Sequence, residues 1–341
     1  MTLCVAWIRE IFGQEELIIA TDSALTGGEK WNNGVKLFEL PRKDCLICFA
    51  GSTGRAYPLI LNLISSIKLD KRLHNSHTDI VEVLVYISEL FTSLVQTIQK
   101  EVPADDIHLL RSEAKFIFGG WSWEENRFRL WKLYYSADAE GFIYLELTAD
   151  QTKTRMYSFL GDPSEGEDDD IETPARERLR GLIFEEDKQD DKLDMEPLKV
   201  LIDICRDHDE RYVDGSIQIA KVYKSGVSEF FGIYWPSIDG HPHFQGREFA
   251  AHERPDVKYF DPDTLEIIED KLPLFIRDMS SFETHKDFGF IRDCYDDGGG
   301  LRLDLSETIR EKLMIILRDT AYVNFISTIE TMEEGLHERD N

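Results

Sequence analysis

The second residue of the chain, Thr2, carries a hydroxyl at a position where a free amine can be generated. An aminopeptidase can remove Met1 because the next side chain is small. The new α-amine would lie beside the hydroxyl of the same residue, and it could take the hydroxyl proton while the oxygen attacks a carbonyl carbon. An α-amine has a reference pKa of about 7.7–8.0, so a useful fraction is neutral near pH 7. Threonine is common at this position, so the interpretation depends on its context.

Three further residues lie at the ends of apolar strands or inside them. Asp22 follows the run Leu17–Thr21, Lys36 is a lone charge in an apolar segment, and Gly51 closes the run Cys45–Ala50. Taken one at a time, they could be a turn residue, an exposed lysine on an edge strand and a tight turn. Exposure on a solvated surface does not explain well why these residues lie at the ends of apolar strands or inside them. Together with the threonine, they favour an active site.

The order and spacing of these residues resemble the N-terminal region of proteasome β subunits and of the bacterial HslV-type peptidase. Both are proteasome-like N-terminal-nucleophile (Ntn) hydrolases. The matching segments are Thr2 with Leu3-Cys4-Val5-Ala6, Ile18-Ile19-Ala20-Thr21-Asp22-Ser23, Gly34-Val35-Lys36-Leu37 and Phe49-Ala50-Gly51-Ser52. The resemblance is specific over residues 2–68 and weaker beyond them. It implies an α+β fold, a four-layer αββα sandwich of two packed antiparallel sheets.

The resemblance also implies a role for each residue. Thr2 would be the nucleophile, and the N–H of Gly51 would stabilise the tetrahedral oxyanion, a contribution of about 2.7–4 kcal/mol per donor in known hydrolases. Asp22 would hold Lys36 in place and keep it charged. Lys36 would keep the nearby α-amine neutral, because like charges lower each other's pKa.

Two later segments depart from the family pattern. Asp162 stands where a supporting serine is expected. Glu210 could replace a supporting aspartate, while Val213 takes the position of a serine, and Ser216 is a further candidate. These departures leave the expected fold in place but leave the activity of the proton-transfer network open.

Three functions follow from this pattern. The first is a threonine-dependent peptidase or amidohydrolase that is activated by loss of Met1. The second is a non-catalytic proteasome-like subunit that serves assembly or partner binding, and the third is a small-molecule amidase on the same scaffold. The set Thr2, Asp22, Lys36 and Gly51 favours the first function, whereas the departures at positions 162 and 213 favour the second.

Periodicity predicts the elements that would position these residues. A 3.6-residue period with an N-cap at Asp79 predicts a long helix over 79–99. Further helices are predicted at 56–67, 173–184, 197–208 and from 306 to 325, and strands at 2–8, 17–21, 45–50, 114–123, 128–135, 142–147, 156–160, 217–223 and 227–235. We expect a proteasome-like domain over 1–240 and a C-terminal extension over 241–341.

An acidic insertion at 164–194 interrupts the predicted domain. Its charge makes burial costly, so we expect a surface segment. The segment follows Asp162 directly, and this predicts that it overhangs the entrance to the site. A cation site and a remote solvated loop are the alternatives, and no spacing of ligands supports the first.

The composition narrows the class of protein. Net charge is −27, from 66 acidic and 39 basic residues, which disfavours nonspecific binding to nucleic acid or anionic membranes. The sequence has no secretory signal and no run of about 18 apolar residues, so we expect a cytoplasmic protein without a membrane span.

Cofactors and partners follow from a few positions. Cys45 and Cys48 lie three apart on a strand, point to opposite faces and are interpreted as core residues. His241 and His243 are weak evidence for a metal, so neither metal nor cofactor is expected. The expected partners are a polypeptide substrate, further copies of the chain and an ATP-dependent unfoldase or other protein, with Val81 and Val85 as candidate contacts between copies.

Overall fold

The computed structural model describes most of residues 2–249 and a series of shorter stretches after them. It covers residues 2–249 apart from 12, 27–28, 76–77, 102–105, 148–154, 163–170, 186–191 and 208–212. It then covers 253, 257–268, 276, 279–283, 285–296, 298–302, 304–306, 308–310, 312–313 and 316–317. The chain forms two compact units. The first unit consists of Met1–Glu248 and Tyr259–Glu266, and the second consists of Phe249–Lys258 and Ile267–Asn341. The boundary predicted at residue 240 stays a prediction.

Strands and helices alternate in blocks along the chain. The strands are β1 Leu3–Ile11, β2 Gln14–Thr21, β3 Leu25–Thr26, β4 Lys30–Trp31, β5 Leu37–Glu39, β6 Cys45–Gly51, β7 Ala114–Ser122, β8 Arg127–Ser136, β9 Gly141–Glu146, β10 Tyr157–Gly161, β11 Gln218–Tyr223, β12 Ser228–Trp235, β13 His241–Phe244, β14 Arg247–Glu248, β15 Tyr259–Phe260 and β16 Ile267–Ile268. The helices are α1 Thr53–Leu69, α2 Lys71–His74, α3 Ile80–Gln96, α4 Ile107–Ser112, α5 Glu172–Glu185, α6 Glu196–Arg206 and α7 Phe288–Asp293, with a 3-10 turn at Met279–Phe282. The predicted α+β class is confirmed.

The first sheet contains β1, which directly follows Thr2, and β10, which directly precedes Asp162. Its strand order is β10-β1-β2-β11-β12-β13-β14, and these neighbours pair antiparallel. In β1 the residues Leu3–Trp7 are all buried, as expected for a strand that is covered on both faces. Helices α5 and α6 contact this sheet, α5 at β10 and α6 at β1 and β2.

The second sheet has the antiparallel order β5-β6-β7-β8-β9. Side chains of β6 alternate between two cores, because successive residues of a strand point to opposite faces. Cys45 and Phe49 pack in the core formed with α1 and α3, whereas Cys48 and Ala50 pack against residues of β1 and β2. Both cysteines are buried and unpaired by disulfides, so their interpretation as core residues is confirmed.

Helix α3 begins as the sequence predicts. The Asp79 carboxylate accepts a hydrogen bond of 3.0 Å from Val81 N–H, which caps one of the free donors of the first turn. Val81 also packs against the core of the second sheet, whereas Val85 is 39% exposed. Of the two residues expected to face another copy, Val85 is the more exposed.

The second compact unit has a small core of its own. That core joins α7 to later residues, namely Ile291, Cys294, Tyr295, Leu301, Leu313 and Ile316. The predicted final helix is helical at 308–310, 312–313 and 316–317, and its remainder lies outside the described residues. Within the acidic insertion the predicted helix is present as α5, but 163–170 and 186–191 lie outside the described residues, so its overhang stays a prediction.

Candidate active site

Thr2, Lys36 and Asp22 form one connected group. Lys36 Nζ donates hydrogen bonds of 2.9 Å to Thr2 Oγ1 and of 2.9 Å to Asp22 Oδ2. The side chains of Lys36 and Asp22 are fully buried, and Thr2 is 3% exposed. A buried ammonium is stable only when it is paired and hydrogen-bonded, and the carboxylate supplies that partner. The structure therefore brings together three of the four residues predicted to be catalytic.

Asp22 is fixed by the backbone around it. It follows β2 directly, and its Oδ1 accepts a hydrogen bond of 3.0 Å from Leu3 N–H while its Oδ2 accepts one of 3.1 Å from Ala24 N–H. The carboxylate thus ties the start of β1 to the end of β2. Burial raises the pKa of Asp22 above its ordinary value, while Lys36 and the Leu3 N–H oppose the rise.

Lys36 is positioned by a residue that sequence reasoning missed, Gln218. Gln218 Oε1 accepts hydrogen bonds from the backbone N–H groups of Lys36 (2.9 Å) and Leu37 (3.2 Å). Its Nε2 donates one of 2.6 Å to the carbonyl of Gly34. Gln218 is buried at the start of β11, and a lone amide opening an apolar strand was the signal that could have revealed it.

Gly51 ends β6 with a φ of 106°, a left-handed conformation that L side chains adopt only under strain. Its N–H is predicted to receive an oxyanion, but in the structure it donates a hydrogen bond of 2.9 Å to Asp162 Oδ1. The donor expected to be open to substrate is therefore already bonded to a carboxylate. Asp162 stands where a supporting serine is expected. It directly follows β10 and therefore lies at the same end of the sheet as Thr2.

Of the other predicted supporting residues, the structure describes Ser216 but not Glu210. Ser216 is 2% exposed, and its hydroxyl has no hydrogen-bond partner among the residues that the structure describes. Val213 is buried as well. Glu210 lies outside the described residues, so its role as a replacement for the supporting aspartate stays a prediction.

A cavity of about 330 Å³ opens at Thr2. Its wall consists of Thr2, Ala24, Leu25, Thr26, Gly51, Ser52, Thr53, Leu109, Ser112, Glu113 and Asp162. Thr2, Gly51 and Asp162 thus face one space. A carbonyl bound there would lie beside the Thr2 hydroxyl and beside the Asp162 carboxylate that accepts from the Gly51 N–H.

Two other expectations concern metal and membrane. His243 Nδ1 lies 2.8 Å from the backbone carbonyl oxygen of His241. The Nδ1 atom of His241 lies 3.5 Å from Glu248 Oε1. Across the described ranges, no three or more His, Cys, Asp or Glu residues come together as a metal site. Within those same ranges, none of the helices has the length and apolar character needed to cross a membrane.

Comparisons with known proteins add solved structures of low similarity. No protein-family model matches the chain, and no curated protein matches it. The chain is similar to a Gly-1 mutant of Anbu from Hyphomicrobium sp. strain MC1, with 14% identity and a TM-score of 0.41, over 67% of this chain and 84% of that one. It is also similar to Anbu, described as an ancestral beta-subunit, from Yersinia bercovieri, with 15% identity and a TM-score of 0.44, over 67% of this chain and 86% of that one. At these values the likeness carries no argument about family or activity.

Proposed function

We propose that the chain is a threonine-dependent hydrolase that cleaves peptide bonds, with Thr2 as its N-terminal nucleophile after removal of Met1. One observation carries the proposal. A fully buried lysine, Lys36, bridges the hydroxyl of Thr2 and the carboxylate of Asp22 at 2.9 Å to each, and Thr2 itself lines a cavity. A lysine buried only for stability would have no need of a threonine hydroxyl that faces a cavity.

The bridge gives each group a definable role in the reaction. Because Lys36 donates to Thr2 Oγ1, its positive charge favours the form of the hydroxyl that has lost a proton. Asp22 keeps that ammonium charged and in place. The same positive charge disfavours protonation of the α-amine of Thr2, so the amine stays available as the base.

The catalytic cycle follows from these roles. The Thr2 amine takes the hydroxyl proton, directly or through a water molecule, as Oγ1 bonds to the substrate carbonyl carbon. Negative charge then develops on the carbonyl oxygen and is stabilised by the Gly51 N–H once Asp162 has left it. The amine returns its proton to the leaving nitrogen, the C–N bond breaks, and water hydrolyses the resulting ester to regenerate the hydroxyl.

The finer features of the fold and the assembly belong to the same proposal. We infer a four-layer αββα Ntn sandwich, which the packing of α1 and α3 on one sheet and of α5 and α6 on the other supports. We also propose a homo-oligomer in the cytoplasm that works with an ATP-dependent unfoldase or another protein partner. The exposed Val85 on α3 supports a contact between copies.

The second candidate, a non-catalytic subunit for assembly or partner binding, also has a specific observation in its favour. The Gly51 N–H that hydrolysis requires is bonded to Asp162. A site that permanently holds its own anion could keep the fold and the contacts of an enzyme without turnover.

Turnover of an amide substrate by Thr2 variants separates the two candidates. We expect the wild-type chain, expressed so that Met1 is removed, to hydrolyse short fluorogenic peptides, Thr2→Ser to retain measurable activity and Thr2→Ala to lose it. Equal melting temperatures and oligomer sizes would exclude a folding defect. Turnover that persists in Thr2→Ala would refute the nucleophile, and no turnover in any protein that has lost Met1 would favour the non-catalytic subunit.

A further inference from the structure

The donor predicted for the oxyanion, Gly51 N–H, already holds an anion. It donates its hydrogen bond to Asp162 Oδ1 at 2.9 Å, an ordinary distance for a charge-assisted bond. A substrate carbonyl needs the same N–H as negative charge develops on its oxygen. A hydrogen bond to a carboxylate must therefore be given up before the transition state can form.

Strand register, rather than a flexible side chain alone, puts Asp162 in this place. Leu3 pairs with Gly161 at the last rung of the β1–β10 ladder, so Thr2 and Asp162 continue the two strands beyond the same rung. Gly161 N–H also donates a hydrogen bond of 3.0 Å to Glu172 Oε1, which fixes the end of β10 to the start of α5. The strand pairing and the contact with α5 thus fix the backbone that carries Asp162 beside Thr2.

The carboxylates on either side of Asp162 have cationic partners of their own. Glu113 on the cavity wall pairs with Arg55 at 3.1 Å, and Glu172 pairs with Lys132 at 3.0 Å. Asp162 receives its hydrogen bond from the backbone N–H of Gly51. A hydrogen bond from a backbone N–H stabilises a carboxylate, so Asp162 has a physical reason to stay on it.

We propose that Asp162 is an inhibitory occupant of the oxyanion site. Its carboxylate holds the Gly51 N–H in the resting protein, and an entering carbonyl must displace it. No covalent bond is made or broken in this exchange; one acceptor replaces another on the same N–H. The proposal deepens the proposed hydrolase function and rests on it for its effect on turnover.

The contact itself can be tested without measuring hydrolysis. Ala50-Gly51 is the only Ala-Gly step in the sequence, so a protein labelled with ¹³C-carbonyl alanine and ¹⁵N glycine gives a single coupled amide signal. At one fixed pH near neutral, we expect this signal to move in Asp162→Ala, because the Gly51 N–H loses its acceptor. Asp138→Ala, which removes an exposed carboxylate from the β8–β9 turn, is the matched control and should leave the signal in place. A Gly51 signal that is unchanged in Asp162→Ala, or that moves equally in Asp138→Ala, overturns the proposal.

Turnover then tests the inhibitory role. A net hydrogen bond to a charged acceptor changes an equilibrium roughly ten- to a hundredfold, so Asp162→Ala should raise kcat/KM by a factor in that range. Asp138→Ala should leave kcat/KM unchanged. A kcat/KM that stays the same or falls in folded Asp162→Ala overturns the inhibitory role. If no variant turns over at all, the hydrolase function has failed, and the Gly51 signal in Asp162→Ala still decides whether Asp162 holds that N–H.

Discussion

Among the described residues of the first compact unit, two buried lysine–carboxylate pairs stand out, and one of the two contacts a potential nucleophile. Lys36 Nζ lies 2.9 Å from Asp22 Oδ2, and Lys221 Nζ lies 2.9 Å from Glu16 Oε1. In both pairs the lysine side chain is almost fully buried, at 0% and 4% exposure. Distance and burial therefore do not distinguish the two pairs.

Their third contacts do distinguish them. Lys36 donates to the hydroxyl of Thr2, which faces the cavity. Lys221 instead lies 5.3 Å from the ring centre of Phe231 and 5.5 Å from that of Phe260, so aromatic faces cover its charge. A buried ion pair therefore indicates a reaction only where one of its members also contacts a reactive group beside a cavity.

The largest expected effect is on Lys36. We expect Lys36→Met to lower kcat/KM by roughly a thousandfold or more, since groups of one catalytic unit act together. Removing the lysine alone leaves Asp22 buried without its cation, so the double variant Lys36→Met/Asp22→Asn is the control for folding. Kinetics on short amide substrates and a melting curve measure both effects. Near wild-type activity in either folded variant would mean that the lysine serves stability alone, as we infer for Lys221.

Substitution of Gln218 should lower both activity and stability. In Gln218→Leu the backbone N–H groups of Lys36 and Leu37 lose a buried acceptor, a loss of about 1–3 kcal/mol for an unsatisfied group. Because these N–H groups position the lysine, we expect kcat to fall together with the unfolding midpoint. Gln218→Glu keeps an acceptor in place and is the matched comparison. A lower midpoint with unchanged kcat in Gln218→Leu would restrict Gln218 to stability.

Lys221→Met is expected to show the reverse of the Lys36 result. Loss of its hydrogen bond to the Glu16 carboxylate should reduce the free energy of unfolding by roughly 1.5–3 kcal/mol. Arg9 also bonds Glu16, at 3.3 Å, so the carboxylate keeps one partner. Urea unfolding and kcat, measured on the same preparation, give the test. A large loss of kcat without a shift in the urea midpoint would erase the contrast between the two pairs.

The smallest expected effect is in the pH dependence of stability. Burial raises the pKa of Asp22 in the folded state, so the folded state binds more protons than the unfolded state between the ordinary value and the raised one. The contribution of Asp22 is therefore present below the ordinary value, about 3.9, and is lost as pH rises through the raised value. Melting temperatures of wild type and Asp22→Asn across acidic pH should differ in this slope. Parallel curves would contradict the shift.

Much of the fold could be predicted from the sequence because its signals are local. The apolar stripe of α3 and its cap at Asp79 need only 3.6-residue spacing and one carboxylate. Alternation along a strand likewise separates Cys45 from Cys48. Short elements such as α4 and β13 carry too few residues for a periodic signal and were missed.

The candidate site could be predicted only in part. Thr2, Lys36 and Asp22 stand out as polar residues at the ends of apolar strands or inside them, and the structure brings them together. The contacts of Gln218 and Asp162 depend on register between strands that are distant in sequence, which no local pattern encodes. For this reason the sequence could offer Gly51 as an oxyanion donor without showing that a carboxylate occupies it.

The central claim is that Thr2 is a nucleophile activated through Lys36, and intact mass after treatment with a reactive β-lactone tests it most directly. An acyl group transferred to the hydroxyl remains on the residue that attacked. We expect that protein from its native host lacks Met1 and gains one adduct that maps to Thr2, and that Lys36→Met/Asp22→Asn gains none. Native assembled protein that retains Met1, or an adduct on any other residue, would contradict it.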